Sequence, residues 1–446
     1  QGQVGDKRQP FVVIGDQRSE WIRANQFPDM RRLLRVELWR EVHRDLGETV
    51  FRSFCQQIAA PPWRFQSRID VTYHSMQHKI YALLSLTKIQ IIPELIKSEL
   101  IMTESVKNTL AHFDFNEKII CVTGGNGFIG KKLIEELSKT RCRVKILTRK
   151  KDSNFSNNSE IFIGDLTDPN LSLTNFIKDC DILFHCAGEV SNEAQMRLLH
   201  INGTKKLINS VHEESAVSKK VIHWVQLSSC GAYGPPSKNN IQTKRVITES
   251  SETNPINEYE RTKTESDELV IASAIDKIMT YTILRPTNVI GASMTNQSIR
   301  KLIKLVNSGH FFLIGKKDAI ATYVHVDDVV NAMLVIASNP KSRNEIFNLS
   351  NDCSWEALIF QISSILNVKI LPLRIPYKLI QIPLYIIKLI IGRFIHIPLF
   401  ATFAFRTNYT TNKIETYLNF KFTRPLPYSI DDVIKEMKIP TSPRFQ

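Results

Sequence analysis

Two side chains in the stretch NEYERTKTESDELV, residues 257–270, are equipped to do chemistry together: Tyr259 and Lys263. They stand four residues apart, so a helix brings them to one face, about one turn from each other. A phenol ionises at about pH 10, too high for an efficient base at neutral pH. An ammonium one turn away stabilises the phenolate and brings that value down. Such a pair can take a proton from a substrate hydroxyl. The charges around it equally describe a solvated surface helix, so its meaning depends on the elements that hold it.

Those elements begin at residue 117. KIICVTGG reads as a buried strand ending in glycines, FIGKKLIEELSKT as a helix and CRVKILTR as a second strand. NSEIFIGDLTD, CDILFHCAG and VIHWVQLSSCGAYG supply three more strands, and TYTILRPTNVIG and EIFNLS later ones. NEAQMRLLHINGTKKLINSVHEE is one of the helices between them. Short apolar strands alternating with amphipathic helices predict an α/β fold: a Rossmann-type doubly wound parallel sheet covered on both faces.

The turn after the first strand is VTGGNGFIG, residues 122–130. Gly124 and Gly125 permit a tight turn. Gly127 lets the backbone approach a pyrophosphate where Phe128 and Ile129 open the helix, and Gly130 allows close helix–strand packing. This context predicts a bound dinucleotide. An acidic residue at the end of the second strand would favour NAD, but the chain has LTRKKD, with Asp152 late in a polar loop. Thr148, Arg149 and Lys150 offer a cationic fork for a 2′-phosphate, so NADP is favoured over NAD. Asp165 and Leu166 end the third strand where an adenine is contacted. Cys186, Ala187 and Gly188 end the fourth, where small residues let a cofactor come close.

With QLSSCGAYG at the end of the fifth strand and YERTK after it, the chain resembles the extended short-chain dehydrogenase/reductases, in the nucleotide-sugar epimerase and dehydratase branch. The resemblance covers roughly residues 117–435. Gly124, Gly127 and Gly130 match the family's glycine turn, Asp165 its adenine contact, and Tyr259 and Lys263 its YxxxK pair. Ser229, four before Tyr233, matches its catalytic Ser/Thr. HINGTKKLI matches its VNxxGT helix, with Asn202 at the Asn, and LRPTNVIG and YVHVDDVV match two later signatures. The resemblance implies that Ser229 and Tyr259 share the substrate oxygen, and that Lys263 also holds the nicotinamide ribose. It adds Pro286 to the cofactor contacts and makes Asn288 a contact of the nucleotide-sugar phosphates.

The expected activity is an NAD(P)-dependent 4-epimerase of a UDP-type sugar. Two features qualify this expectation. Related epimerases carry an Arg two residues before the aromatic of YVHVDD, and here that position is Ala321. Phosphate charge then falls to Lys316, Lys317 or Arg300. SSCGAYG also lacks the adjacent Asp–Glu pair of the dehydratases, so a 4,6-dehydratase is not expected. The alternatives are a net reductase or dehydrogenase of a keto-sugar, lipid-like or steroid-like substrate, and a non-catalytic dinucleotide-binding scaffold. A homodimer is expected by analogy.

The rest of the chain sets bounds. Hydrophobic content of 43% and charged content of 23% are those of a globular protein. The net charge of +14 comes from Lys and Arg spread along the chain, without an aromatic-interleaved basic motif. Nucleic acid is therefore not expected; an anionic substrate or a membrane surface accounts for the charge. The seven cysteines form no CxxC pair and no zinc spacing. They read as buried free thiols in a reducing cytoplasm, with no metal. His325, Asp327 and Asp328 read as a strand-to-helix junction with Asp as its cap rather than as ligands.

Residues 1–112 form a segment of unassigned role, mostly helical by periodicity: an added module, a docking arm, the tail of a larger protein or a fusion junction. Arg outnumbers Lys eleven to one in residues 1–68, and the bias reverses after that point. The start is not a signal peptide and lacks an initiator Met, so the true start is expected to be missing or processed. Residues 113–446 make the enzyme domain, with a Rossmann core at about 117–290 plus 325–350. Its substrate parts are about 291–324 and 351–435. Residues 375–405 are strongly apolar but broken by Lys378, Lys388 and Arg393. That pattern is too interrupted to span a bilayer. It reads as core of the substrate part or as a peripheral membrane contact.

Overall fold

The computed structural model describes residues 113–439 apart from 151–154, 156–158, 238–242, 275–277, 295–296, 310, 371–372, 378 and 380–401. The chain divides at Ser105/Val106. The expectations for residues 1–112, and for most of 375–405, lie outside the described residues.

Seven strands form the central sheet: β1 Ile119–Thr123, β2 Arg143–Thr148, β3 Ser159–Ile163, β4 Ile182–His185, β5 Ile222–Leu227, β6 Met279–Pro286 and β7 Glu345–Leu349. Their order is β7-β6-β5-β4-β1-β2-β3, and every neighbouring pair is parallel. The chain winds outward from β1 to β3, then crosses back and winds the other way from β4. The two directions part between β1 and β4, the place where a sheet of this kind leaves a crevice at the carboxyl ends of its strands.

The near-continuous apolar runs of β1, β4 and β5 are explained by cover on both faces. On one face, α1 (Phe128–Leu137) packs Leu133, Ile134 and Leu137 with Val329, Val330 and Met333 of a helix at Val326–Ser338. On the other, a helix at Thr204–Ser218 packs Leu207, Ile208 and Val211 against Trp224, and a helix at Glu258–Ser273 adds Val270. In chain order, α2 is Glu193–Arg197, α3 Thr204–Ser218, α4 Glu258–Ser273, α5 Ser298–Asn307, α6 Val326–Ser338 and α7 Trp355–Leu366. A separate apolar cluster joins α5 (Ile299, Leu302, Ile303, Val306) to α7 (Leu358, Ile359, Ile362) and to Ile430 and Val433.

Two expectations about elements change. TYTILRPTNVIG is two strands, β6 and Asn288–Ile290, and the second pairs with Tyr323–His325 outside the main sheet. The helix expected through NEAQMRLLHINGTKK is α2, then a π-helical turn at Leu198–Gly203, then α3. A π-turn carries one residue more than an α-turn and so changes which residues face inward. Among the described residues no helix is long and apolar enough to cross a membrane.

Candidate active site

The glycine turn sits at the mouth of the crevice. Gly124 has φ +71°, and a Cβ there would lie 2.6 Å from the Ala187 nitrogen. A Cβ on Gly130 would lie 2.2 Å from the Gly124 carbonyl oxygen. Gly127 donates its N–H to that same carbonyl at 2.9 Å and leads into α1. The start of α1 has neither a capping side chain nor an acidic residue in its first turn. Helix-start N–H groups without such partners suit an anion, so the cradle fits a pyrophosphate at Phe128, Ile129 and Gly130.

The Asn126 amide donates to Thr148 Oγ1 at 2.7 Å and to the Lys150 carbonyl at 3.0 Å, which ties the turn to the end of β2. Thr148 is buried there, while Arg149 and Lys150 are exposed. Asp165 is held by the N–H and hydroxyl of Thr167 at 2.9 and 2.8 Å, and Leu166 beside it is buried. Cys186 and Ala187 are partly buried, and Gly188 is exposed. Burial pushes the Cys186 thiol up to about 12. Pro286 ends β6 and is buried.

Helix α4 presents the second group. The Asn257 side chain accepts the Glu260 N–H at 2.9 Å, and the Glu260 carboxylate reaches back to the Ile256 N–H at 2.9 Å. These paired caps fix the first turn, which carries Tyr259. Lys263 follows and is only 5% exposed; its Nζ donates to the Leu227 carbonyl at 2.6 Å. Ser229 lies just past β5, accepts the Gly231 N–H at 3.0 Å and neighbours the Tyr259 phenol closely enough to lower its pKa. Ser229, Tyr259 and Lys263 are thus gathered at the carboxyl end of β5. Burial raises the Tyr259 phenol above its ordinary value, against a lowering by Ser229. Asp267 and Glu260 add to the rise, and the depression expected from the spacing to Lys263 is not among the effects on the phenol. Burial lowers Lys263, opposed by Asp267 and Cys186.

Behind this group lies buried polar scaffolding. Asp267, one turn beyond Lys263, accepts from Ser228 Oγ at 2.7 Å and from Arg285 Nε and Nη2 at 3.2 and 3.1 Å. His185 bridges Thr123 and Thr204 at 2.7 and 3.2 Å, and Ser266 joins Thr204 to Gln226 at 3.0 Å each. Strands β1, β4 and β5 are thereby tied to α3 and α4.

The remaining expected residues lie as follows. Asn202 is exposed, whereas His200, two residues earlier in the π-turn, is buried and bonded to Thr262 of α4. In VNxxGT the Asn stands three residues before the Gly, and with Gly203 that position is His200. Asn288 is exposed, and its amide donates to the Thr322 carbonyl at 3.1 Å. Ala321 is wholly buried, and Arg300 is paired with Glu436. Lys316 and Lys317 are exposed. The cap of α6 is His325, which accepts the Asp327 N–H, not an Asp. Asp328 instead holds Thr423 and the Arg424 N–H. Sequence reasoning missed His200, Asp267 and Arg285. The signals were the VNxxGT spacing, which counted back from Gly203 marks His200, and α4, which places Asp267 on the Tyr259–Lys263 face.

Residues 120–350 match the NAD dependent epimerase/dehydratase family, more than half of the chain. The chain belongs to that family. Among epimerase/dehydratase relatives, the sterol-4-alpha-carboxylate 3-dehydrogenase, decarboxylating, of Dictyostelium discoideum is 27% identical over 245 residues, 52% of this chain and 71% of that protein. UDP-glucose 4-epimerase of Vibrio cholerae is 25% identical over 275 residues, 59% of this chain and 81% of that one. The N-acetyl-alpha-D-glucosaminyl-diphospho-ditrans,octacis-undecaprenol 4-epimerase of Escherichia coli O157:H7 is 22% identical over 273 residues, 59% of this chain and 77% of that one. A solved UDP-glucose 4-epimerase of Thermotoga maritima shares the fold, with TM-score 0.54 and 20% identity, over 72% of this chain and 98% of its own. This epimerase/dehydratase family member is an enzyme of the extended short-chain dehydrogenase/reductase class, with a nicotinamide dinucleotide as its cofactor.

Proposed function

We propose that this chain is a 4-epimerase of a diphosphate-linked sugar, with a nucleotide sugar of the UDP type as the first reading. The observation that carries it is the Ser229–Tyr259 hydroxyl pair, with Lys263 anchored on Leu227 beside the dinucleotide cradle. A bound nicotinamide dinucleotide supplies a reversible hydride acceptor. Tyr259 takes the proton from the sugar hydroxyl as its carbon is oxidised, and gives it back after the keto sugar has turned over. Ser229 holds the same oxygen in line, and Lys263 stabilises the phenolate and orients the nicotinamide ribose. The Thermotoga maritima neighbour is described with UDP-glucose. Several solved neighbours are described with NAD and one with NADPH, so the preference for NADP rests on Arg149 and Lys150 alone.

A second reading keeps the sugar and changes its carrier to a polyprenyl diphosphate. Ala321 in place of a clamping Arg and the pairing of Arg300 with Glu436 bear on the diphosphate that both carriers share, so the choice rests on a relative and on the apolar segment. The Escherichia coli relative acts on such a lipid-linked sugar. The apolar, cation-broken residues 375–405 fit a peripheral membrane contact. A cytoplasmic homodimer belongs to either reading, with Asn288 near the diphosphate.

The test is to incubate the full chain with UDP-glucose, UDP-N-acetylglucosamine and polyprenyl-diphosphate-linked N-acetylglucosamine in detergent. The configuration at C4 is then read by NMR. Inversion in any of them supports the epimerase and identifies the carrier. No inversion, with steady consumption of NADPH on a keto substrate, makes the chain a net reductase.

A further inference from the structure

One side chain joins the loop over the cofactor cradle to the catalytic helix. The loop is residues 186–192, after β4. At its near end the Ala187 N–H donates to Thr123 Oγ1 at 3.3 Å, and Ala187 lies against Gly124 of the glycine turn. At its far end the Glu189 carboxylate accepts the N–H groups of Val190, Ser191 and Asn192 at 3.0, 2.8 and 3.1 Å. The Glu189 N–H itself donates to His200 Nε2 at 2.9 Å. A backbone N–H can only donate, so Nε2 carries the lone pair and Nδ1 carries the proton. That proton goes to Thr262 Oγ1 at 2.8 Å, and Thr262 donates onward to the Glu258 carbonyl at 2.7 Å. The bonds run in one direction, from the loop through the imidazole into the first turn of α4.

The same ring stands edge-on to Tyr259, with centroids 5.9 Å apart and planes at 77°. His200 is 1% exposed and sits in the π-helical turn that sets its register. A π-turn placed in a long helix beside a site is a common device for re-aiming one side chain.

We propose that His200 is a positioning residue: it locks the cofactor-covering loop to the first turn of α4, so that dinucleotide binding and the placement of Tyr259 are coupled. The proposal rests on reading the cradle as a dinucleotide site. Its chemistry requires a neutral imidazole, because a protonated ring has no lone pair for the Glu189 N–H. Burial, with Lys263 nearby, holds His200 down to about 3.

Two substitutions separate the halves of the link. His200→Gln presents an amide near the place of Nε2 and keeps the loop bond. His200→Asn presents one near the place of Nδ1 and keeps the Thr262 bond. The full chain is titrated with NADP⁺ and NAD⁺ by calorimetry, and amide exchange of peptides covering 186–192 and 257–264 is followed with and without dinucleotide. In the wild type, dinucleotide protects both peptides. H200Q is expected to keep affinity and loop protection but to lose the added protection of 257–264. H200N is expected to expose the loop and to weaken binding about three- to tenfold, the worth of one hydrogen bond. Thr262→Val removes the helix half from the other side, and it should behave like H200Q if the histidine variants fold poorly. Coupled protection of 257–264 in H200Q and T262V equal to that of the wild type overturns the proposal. A wild type that binds neither dinucleotide overturns the underlying reading of the cradle instead.

Discussion

The Lys263 ammonium lies 2.6 Å from the carbonyl oxygen of Leu227, so the helix that carries Tyr259 is fastened to the end of the strand that precedes Ser229. This contact holds the three groups in one geometry. It also leaves two of the three Nζ hydrogens for a ribose and for the phenolate.

Removing the phenol oxygen tests the base directly. Tyr259→Phe should lower turnover roughly 100- to 10,000-fold, the span of general acid–base catalysis, while dinucleotide affinity stays close to wild type. Turnover is read by epimer formation and affinity by calorimetry. Near-normal turnover in the variant would show that another group takes the proton.

The proposed preference for NADP rests on the exposed end of β2. Arg149→Asp exchanges a cation suited to a 2′-phosphate for a carboxylate suited to a ribose hydroxyl. Preference should move from NADP toward NAD by roughly ten- to a hundredfold, the range for a hydrogen bond to a charged group. Binding titrations with both dinucleotides check this. An unchanged ratio places the selecting residue elsewhere.

The ion pair between Asp267 and Arg285 is 1% and 5% exposed. Cutting it with Asp267→Ala strands a buried guanidinium and should cost about 3–5 kcal/mol in chemical denaturation. A loss below about 1 kcal/mol, the level of a surface pair, would mean that water reaches the site.

Acid should weaken the fold through two histidines. Burial holds His185 well below its usual range and His200 down to about 3, and Lys263 adds to both. In the unfolded chain each takes up a proton near 6.5. The unfolded state therefore binds more protons between about pH 6.5 and 3. The stability these groups contribute is present above that window and is lost as pH falls through it. The melting temperature should drop steadily from pH 7 to pH 4, and His200→Gln should flatten the slope. A melting temperature constant over that range contradicts the assignment of neutral, buried rings.

The sheet was legible because parallel strands buried on both faces leave unbroken apolar runs such as IICVT and IHWVQL. The glycine turn was legible because its glycines are demanded by close backbone approach, which no other residue type satisfies. Asn202 shows where that reasoning fails. VNxxGT sets its Asn three residues before the Gly; with Gly203 that position is His200, which the structure buries, and Asn202 stands one residue before the Gly. Asp267 and Arg285 escaped for a different reason. Each is an ordinary charged residue in sequence, and only the fold brings α4 and β6 together as a buried pair. The cap of α6 by His325 rather than an Asp is likewise a matter of local backbone geometry.

The central claim is that hydride leaves the sugar carbon and returns to it within one binding event. It is tested most directly with the diphosphate-linked sugar that the full chain epimerises, deuterated at C4, in ordinary water. The account predicts an epimer that keeps its deuterium, with no net change in the dinucleotide. Deuterium lost to solvent, or carried off on released reduced dinucleotide, contradicts it.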